Sequence, residues 1–230
     1  MAGPGDLARA GADARRTPAR RCRRRPLRRD PARCTAPGDP AAARRVREKV
    51  AATPALMAAV EPVDARGWAE YSGGERFLEA LGAGRAARAV WQALPGEKWP
   101  DRLAEAAAAA VGGGYGVLAI VPDQRDIDVL HRAATARIDG AAVVTLAAGL
   151  GPSARYRRWL TVLRGQARLV IGTRSAVFAP VDKLGLVIVW DDGDDSLSEP
   201  RAPYPHAREV GMLRAHQLRC AALVGGSPGP

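Results

Sequence analysis

Ala167-Arg-Leu-Val-Ile-Gly-Thr-Arg-Ser-Ala176 and Leu184-Gly-Leu-Val-Ile-Val-Trp-Asp-Asp192 decide the fold. Each is a short, almost unbroken apolar run rich in β-branched residues, as expected of a strand buried on both faces of a parallel sheet. Periodicity alone does not exclude a buried helix for such runs. Each also ends abruptly in polar residues, one in Gly172-Thr-Arg-Ser175 and the other in a cluster of acids. In an open α/β sheet, ligands sit beyond the carboxyl ends of the strands. The pair therefore points to nucleotide or nucleic-acid machinery.

Working outward, strand-like and helix-like segments alternate. Ala89–Leu94 reads as a strand, Arg102–Val111 as an alanine-rich helix, Gly116–Val121 as a strand, Arg125–Arg137 as a helix and Ala142–Leu146 as a strand. Ser153 is placed to cap a helix running to Arg164. Beyond the two diagnostic runs come a helix over Pro205–Gln217 and a strand over Cys220–Val224. Strands separated by helices of this length make βαβ units, so residues 88–224 are expected to form a mostly parallel α/β sheet flanked by helices. Upstream, residues 44–87 read as a helical linker. One helix over Arg44–Glu61 is interrupted at Pro54, and another over Trp68–Leu81 turns at Gly73-Gly74, with its aromatics serving packing.

The net charge of +11 is unevenly placed. Residues 1–50 hold 15 Arg or Lys against 5 Asp or Glu, leaving a near-neutral body. The basic character thus describes a tail and establishes no basic face on the folded part. Residues 1–43 are rich in Arg, Ala, Pro and Gly and lack the apolar surface to offset the entropy of ordering, so a disordered tail is expected. Arg20–Arg29 fits phosphate neutralisation, organelle targeting or sequence with no selected role, and composition does not choose among them.

Cys22, Cys34 and Cys220 form no CxxC pair, and His131, His206 and His216 lie far from the first two. A disulfide framework or structural zinc site is not expected, and Cys220 reads as a small buried hydrophobe. No apolar stretch approaches a membrane span and no secretory signal is visible, which leads to the expectation of a cytoplasmic, nucleoid-associated protein without membrane partners.

With these elements in place, the chain resembles the first helicase lobe of the bacterial PriA (primosomal protein N′) family, relatives of the superfamily 2 helicases. The resemblance runs from about Arg88 to Val224. It is carried by Arg157-Arg-Trp159 with Gly165, by Val170-Ile-Gly-Thr-Arg-Ser-Ala-Val-Phe-Ala-Pro180, by Leu184–Val189 and by His206-Ala-Arg208. Val121-Pro-Asp123 is similar to the family's Val-Pro-Glu. The resemblance implies a RecA-like sheet, DNA as partner, and ATP, magnesium and zinc as the family's cofactors.

Both ATP elements depart from the family pattern. Where the family reads Gly-Ser-Gly-Lys-Thr, this chain reads Leu94-Pro-Gly-Glu-Lys-Trp-Pro100. A phosphate loop needs several glycines for its backbone N–H groups to wrap phosphate, a lysine on the β/γ oxygens and a hydroxyl on magnesium. Only Gly96 and Lys98 remain; Glu97 opposes phosphate, and Pro95 and Pro100 lack donor N–H groups. The family's Asp-Glu-Glu-His becomes Trp190-Asp-Asp-Gly193, so Trp190 stands at the magnesium-ligand position. Gly96, Lys98, Asp191 and Asp192 are therefore expected to be vestiges of a nucleotide site, with Lys98 solvated and the acids a solvated turn. No ATP, magnesium or zinc cofactor is expected, and no catalytic or metal-ligating residue is assigned.

By the same resemblance, Thr173, Arg174 and Ser175 are expected to carry DNA binding, a guanidinium flanked by two hydroxyls being suited to phosphate oxygens. The alternative is that Arg174 instead pairs with the neighbouring acidic turn. Neither the family's amino-terminal barrel, its zinc cysteines nor its second lobe is visible, and residues 225–230 read as a truncated end, so the chain is expected to be a fragment. Three functions follow: a DNA-binding replication-restart protein without ATP-driven unwinding, acting on single-stranded or forked DNA with other primosome proteins; an active ATP-dependent 3′-5′ helicase; or a structural remnant.

Overall fold

A computed structural model describes residues 59–147 and 149–227. The expected tail over 1–43, the helix from Arg44 as far as residue 58, Cys22 and Cys34 lie outside the described residues. Residues 59–61 fall within that expected helix but are extended. Val60 forms an antiparallel bridge with Ile138, and Glu61 N–H donates to the Arg137 carbonyl.

Six strands are ordered β1-β6-β5-β2-β4-β3, every adjacent pair parallel. They are β1 (Arg88–Gln92), β2 (Gly116–Ile120), β3 (Val143–Leu146), β4 (Leu169–Gly172), β5 (Leu184–Trp190) and β6 (Ala221–Gly226). Helices α1 (Arg66–Ala69) and α2 (Gly74–Gly82) precede β1; α3 (Trp99–Gly112), α4 (Gln124–Thr135), α5 (Pro152–Leu163) and α6 (Ala207–Gln217) connect the strands. The fold is thus the expected α/β class, a parallel sheet flanked by helices.

Strand periodicity divides the core in two. On β2, Val117 and Ala119 join α1 to α4 on one face, while Leu118 and Ile120 join α5 and α6 on the other. On β5, Leu186, Ile188 and Trp190 alternate with Val187 and Val189 in the same way. Burial on both faces is why these runs lack polar alternation. The buried β2–α3–α4 side is rich in alanine (Ala104, Ala106, Ala107, Ala108 and Ala110), and each small side chain lets α3 lie close to the sheet. Helices α1 and α2, upstream of the expected start of the α/β body, bury Trp68, Phe77, Leu78 and Leu81 in this first core.

Helix α5 corrects one expected cap. It begins at Pro152 with Gly151 as N-cap, so Ser153 lies one residue inside the helix. Proline suits the first helical position because its missing N–H would have had no intrahelical partner. Strand β1 ends at Gln92, short of the expected Leu94, because Leu94-Pro95-Gly96-Glu97 turns back with Glu97 N–H donating to the Leu94 carbonyl at 2.9 Å. Gly96 takes φ 79°, the conformation that a turn with proline second and glycine third requires. Strand β6 runs two residues past the expected Val224, pairing Gly226 with Gln92.

Candidate functional site

The candidate nucleotide and DNA residues follow β1, β4 and β5 at the carboxyl edge of the sheet, in two groups. The first lies between β1, α3 and β5. Lys98 is exposed and holds the N-cap position of α3 without a capping side-chain bond, as expected for a solvated lysine. Glu97 does not face outward. Its carboxylate accepts from the Tyr71 hydroxyl at 2.8 Å and lies 3.3 Å from Arg102 Nε. Tyr71 also accepts from Leu94 N–H at 3.2 Å, tying the loop to the chain between α1 and α2.

The network continues inward. Arg102 pairs at 2.7 Å with Glu105, which is 2% exposed in the middle of α3, and Arg137 reaches the same carboxylate at 3.1 Å. Burial pushes the Glu105 carboxyl above its usual range, with Arg102 the chief opposing influence.

Trp99 and Trp190, which the resemblance aligns with the family's magnesium-binding hydroxyl and acid, lie against each other. Their rings stack with centroids 4.6 Å apart and planes 16° from parallel. Trp190 also contacts Trp91 at 5.3 Å, Trp91 contacts Trp68 at 5.4 Å, and Trp68 contacts Phe77 at 5.9 Å. One aromatic column thus runs from α2 through β1 and β5 to the start of α3. Two indoles in face contact offer no oxygen ligand to a divalent cation. Glu97, held against Arg102, leaves the turn with one glycine and no ring of N–H donors. The side chains present do not fit a magnesium triphosphate. Each tryptophan is visible in the sequence by itself, whereas their contact is not.

The second group is the Thr173–Ser175 segment after β4 and the acidic segment after β5. Arg174 bridges them. Its Nη1 donates to the carbonyls of Ser196 and Ser198 at 2.9 and 2.7 Å, and its Nη2 lies 3.1 Å from Glu199 Oε2. Of the two readings of Arg174, the contacts are those of an arginine committed to the neighbouring loop, although its partners lie just beyond the anticipated Asp191–Asp195 turn. Thr173 is half-buried and Ser175 exposed.

The acids are also partly committed. Asp192 accepts from Arg208 Nη1 at 2.7 Å, and Asp194 accepts from Ser196 N–H at 2.7 Å. That local bonding draws the Asp194 carboxyl below its usual range, whereas burial, then Asp194 and Asp192, pushes Asp191 above it. Among the described residues, no group of three or more His, Cys, Asp or Glu side chains is placed to hold a metal ion. Cys220 is buried, as expected, in the second core.

The probable replication restart protein PriA of Mycobacterium tuberculosis is 67% identical over 187 residues, which cover 81% of this chain and 28% of that protein. The corresponding Mycobacterium leprae protein is 70% identical over 165 residues. The matched residues belong to the PriA family. The replication restart protein PriA of Treponema pallidum matches at 30% identity over 183 residues, 79% of this chain. No protein-family model matches. The chain spans about a quarter of the length of these PriA relatives. No helix among the described residues is long and apolar enough to cross a membrane.

Proposed function

We propose that this chain is the nucleic-acid-binding part of a PriA-type replication restart protein that works without ATP-driven unwinding. The observation that carries the reading is the Trp99–Trp190 stack. In an intact phosphate-loop ATPase, the residues at these two positions hold magnesium, and the metal bridges the β- and γ-phosphates and neutralises charge developing in transfer. Aromatic carbon supplies neither function. Losing the wrapped phosphate also removes several charge-assisted hydrogen bonds of about 1.5–3 kcal/mol each, enough to turn a micromolar site into a millimolar one or weaker.

The partners proposed are single-stranded or forked DNA and other primosome proteins, which the family's replication-restart role supports. The intact Gly172-Thr-Arg-Ser175 segment at the sheet edge is consistent with retained DNA contact. The test is hydrolysis of ATP by the full chain with and without single-stranded DNA. Turnover at background in both supports the reading; DNA-stimulated turnover that disappears in Lys98→Ala restores the helicase.

A further inference from the structure

Charge is segregated along the sheet edge in a way that total composition hides. From residue 140 to 181 the chain has six arginines and no Asp, Glu or Lys, whereas the rest of 59–227 holds 14 basic and 19 acidic residues. This basic segment is β3, α5, β4 and the loop after it, the half of the molecule opposite the aromatic column. Arg158 is committed to Thr145, Arg168 lies 3.9 Å from Asp182, and Arg174 pairs with Glu199. Arg155 and Arg157 are exposed on α5, and Arg155 Nη2 also donates to the Leu150 carbonyl at 3.4 Å.

Between α5 and the loop after β4 is an open cavity of about 280 Å³, lined by Leu146, Ala147, Arg155, Trp159, Ser175 and Ala176. Four of the five tryptophans of the chain form the column around β1 and β5; Trp159 is the fifth and belongs to the other core. It is only half-buried, packing against that core while lining the cavity. Arg155 lies one helical turn before it, the spacing that puts two side chains on one helix face.

We propose that this cavity is a stacking site for a base of single-stranded nucleic acid. Trp159 is the platform, Arg155 the phosphate contact and the Ser175 hydroxyl a neutral donor. The inference rests on the DNA-binding reading above and gives it a location. An aromatic face beside a basic rim is the arrangement by which proteins bind single strands without reading sequence, since every base offers a flat π surface. A duplex keeps its bases stacked on one another and does not enter such a cavity.

The test measures binding of the full chain to a labelled thymidine 20-mer and to an abasic 20-mer of equal charge. Trp159→Ala should weaken binding of the thymidine oligomer about tenfold and leave the abasic one unchanged, and Trp159→Phe should recover most of the loss. On the unsubstituted chain, photocrosslinking with 5-iododeoxyuridine should label the peptide containing Trp159. Crosslinks found only elsewhere, or equal loss for both oligomers, overturn the proposal while leaving DNA binding intact. A chain that binds neither oligomer overturns this proposal together with the reading it rests on.

Discussion

The guanidinium of Arg174 and the carboxylate of Glu199 lie 3.1 Å apart, both about one-third exposed, and close the gap between the loops that follow β4 and β5. Arg174 is therefore a brace before it is a phosphate contact. Its two further bonds, to the Ser196 and Ser198 carbonyls, hold the acidic segment against the sheet edge. Phosphate would have to compete with Glu199 for the same nitrogen.

Arg174→Ala should lower stability by about 1–2 kcal/mol, the value of charge-assisted bonds discounted for partial exposure. Glu199→Gln should free the guanidinium and steepen the salt dependence of single-strand binding by up to about one unit. Denaturant melts and binding titrations at several salt concentrations read both. An unchanged slope in Glu199→Gln would assign Arg174 to the brace alone.

Trp99 and Trp190 should be energetically coupled. Trp190 is 3% exposed, so Trp190→Ala is expected to cost about 3–5 kcal/mol, and Trp99→Ala less because it is only half-buried. A double-mutant cycle should return about 1 kcal/mol for the stack. Strictly additive losses would mean that the rings are adjacent without supporting each other. Trp99→Thr combined with Trp190→Asp should not produce hydrolysis, because the turn before α3 holds a single glycine.

Glu105 should be more sensitive than its polar character implies. Glu105→Ala opens a cavity and removes the counter-ion that Arg102 and Arg137 share, leaving them Glu97 and Asp101, at a cost of about 2 kcal/mol. Glu105→Gln should cost less, since an amide oxygen still accepts from one arginine. Chemical denaturation of the two variants checks the order, and equal losses would contradict it.

Asp126 gives a pH signature. Burial, reinforced by Asp123 and then Asp191, pushes its carboxyl up to about 6. The folded protein thus holds this proton more tightly than the unfolded chain, whose aspartates titrate near 4. The associated stability is complete below about pH 4 and is lost as pH rises through 6. Asp126→Asn removes the repulsion, so its melting temperature should exceed the parent's at pH 7.5 and match it near pH 4. A variant less stable than the parent at pH 7.5 would contradict this assignment.

The sheet was legible wherever burial was symmetrical. Strands β4 and β5 announce themselves because both faces are covered and neither run needs a polar residue. Boundaries shifted where local chemistry outweighed apolar patterning: the Pro95-Gly96 turn shortened β1, and Pro152 displaced Ser153 from the cap. The site was legible only as missing groups. Trp99 reads as an absent hydroxyl and Trp190 as an absent acid, and nothing in the distance between them along the chain announces that the rings meet. Trp159 carried a resemblance, but its place beside Arg155 and Ser175 depends on β3 lying next to β4. Arg174 fared similarly, since Glu199 lies past the acidic cluster that drew attention in the sequence.

The arrangement of indoles divides the protein into two optical channels. Trp68, Trp91, Trp190 and Trp99 are close enough for their excited states to interact, so near-ultraviolet circular dichroism should follow the integrity of the aromatic column. Trp159 belongs to the other core, and quenching by a bound strand would report from the opposite half of the sheet. One unlabelled molecule therefore carries separate reporters for the aromatic column and for the proposed stacking cavity.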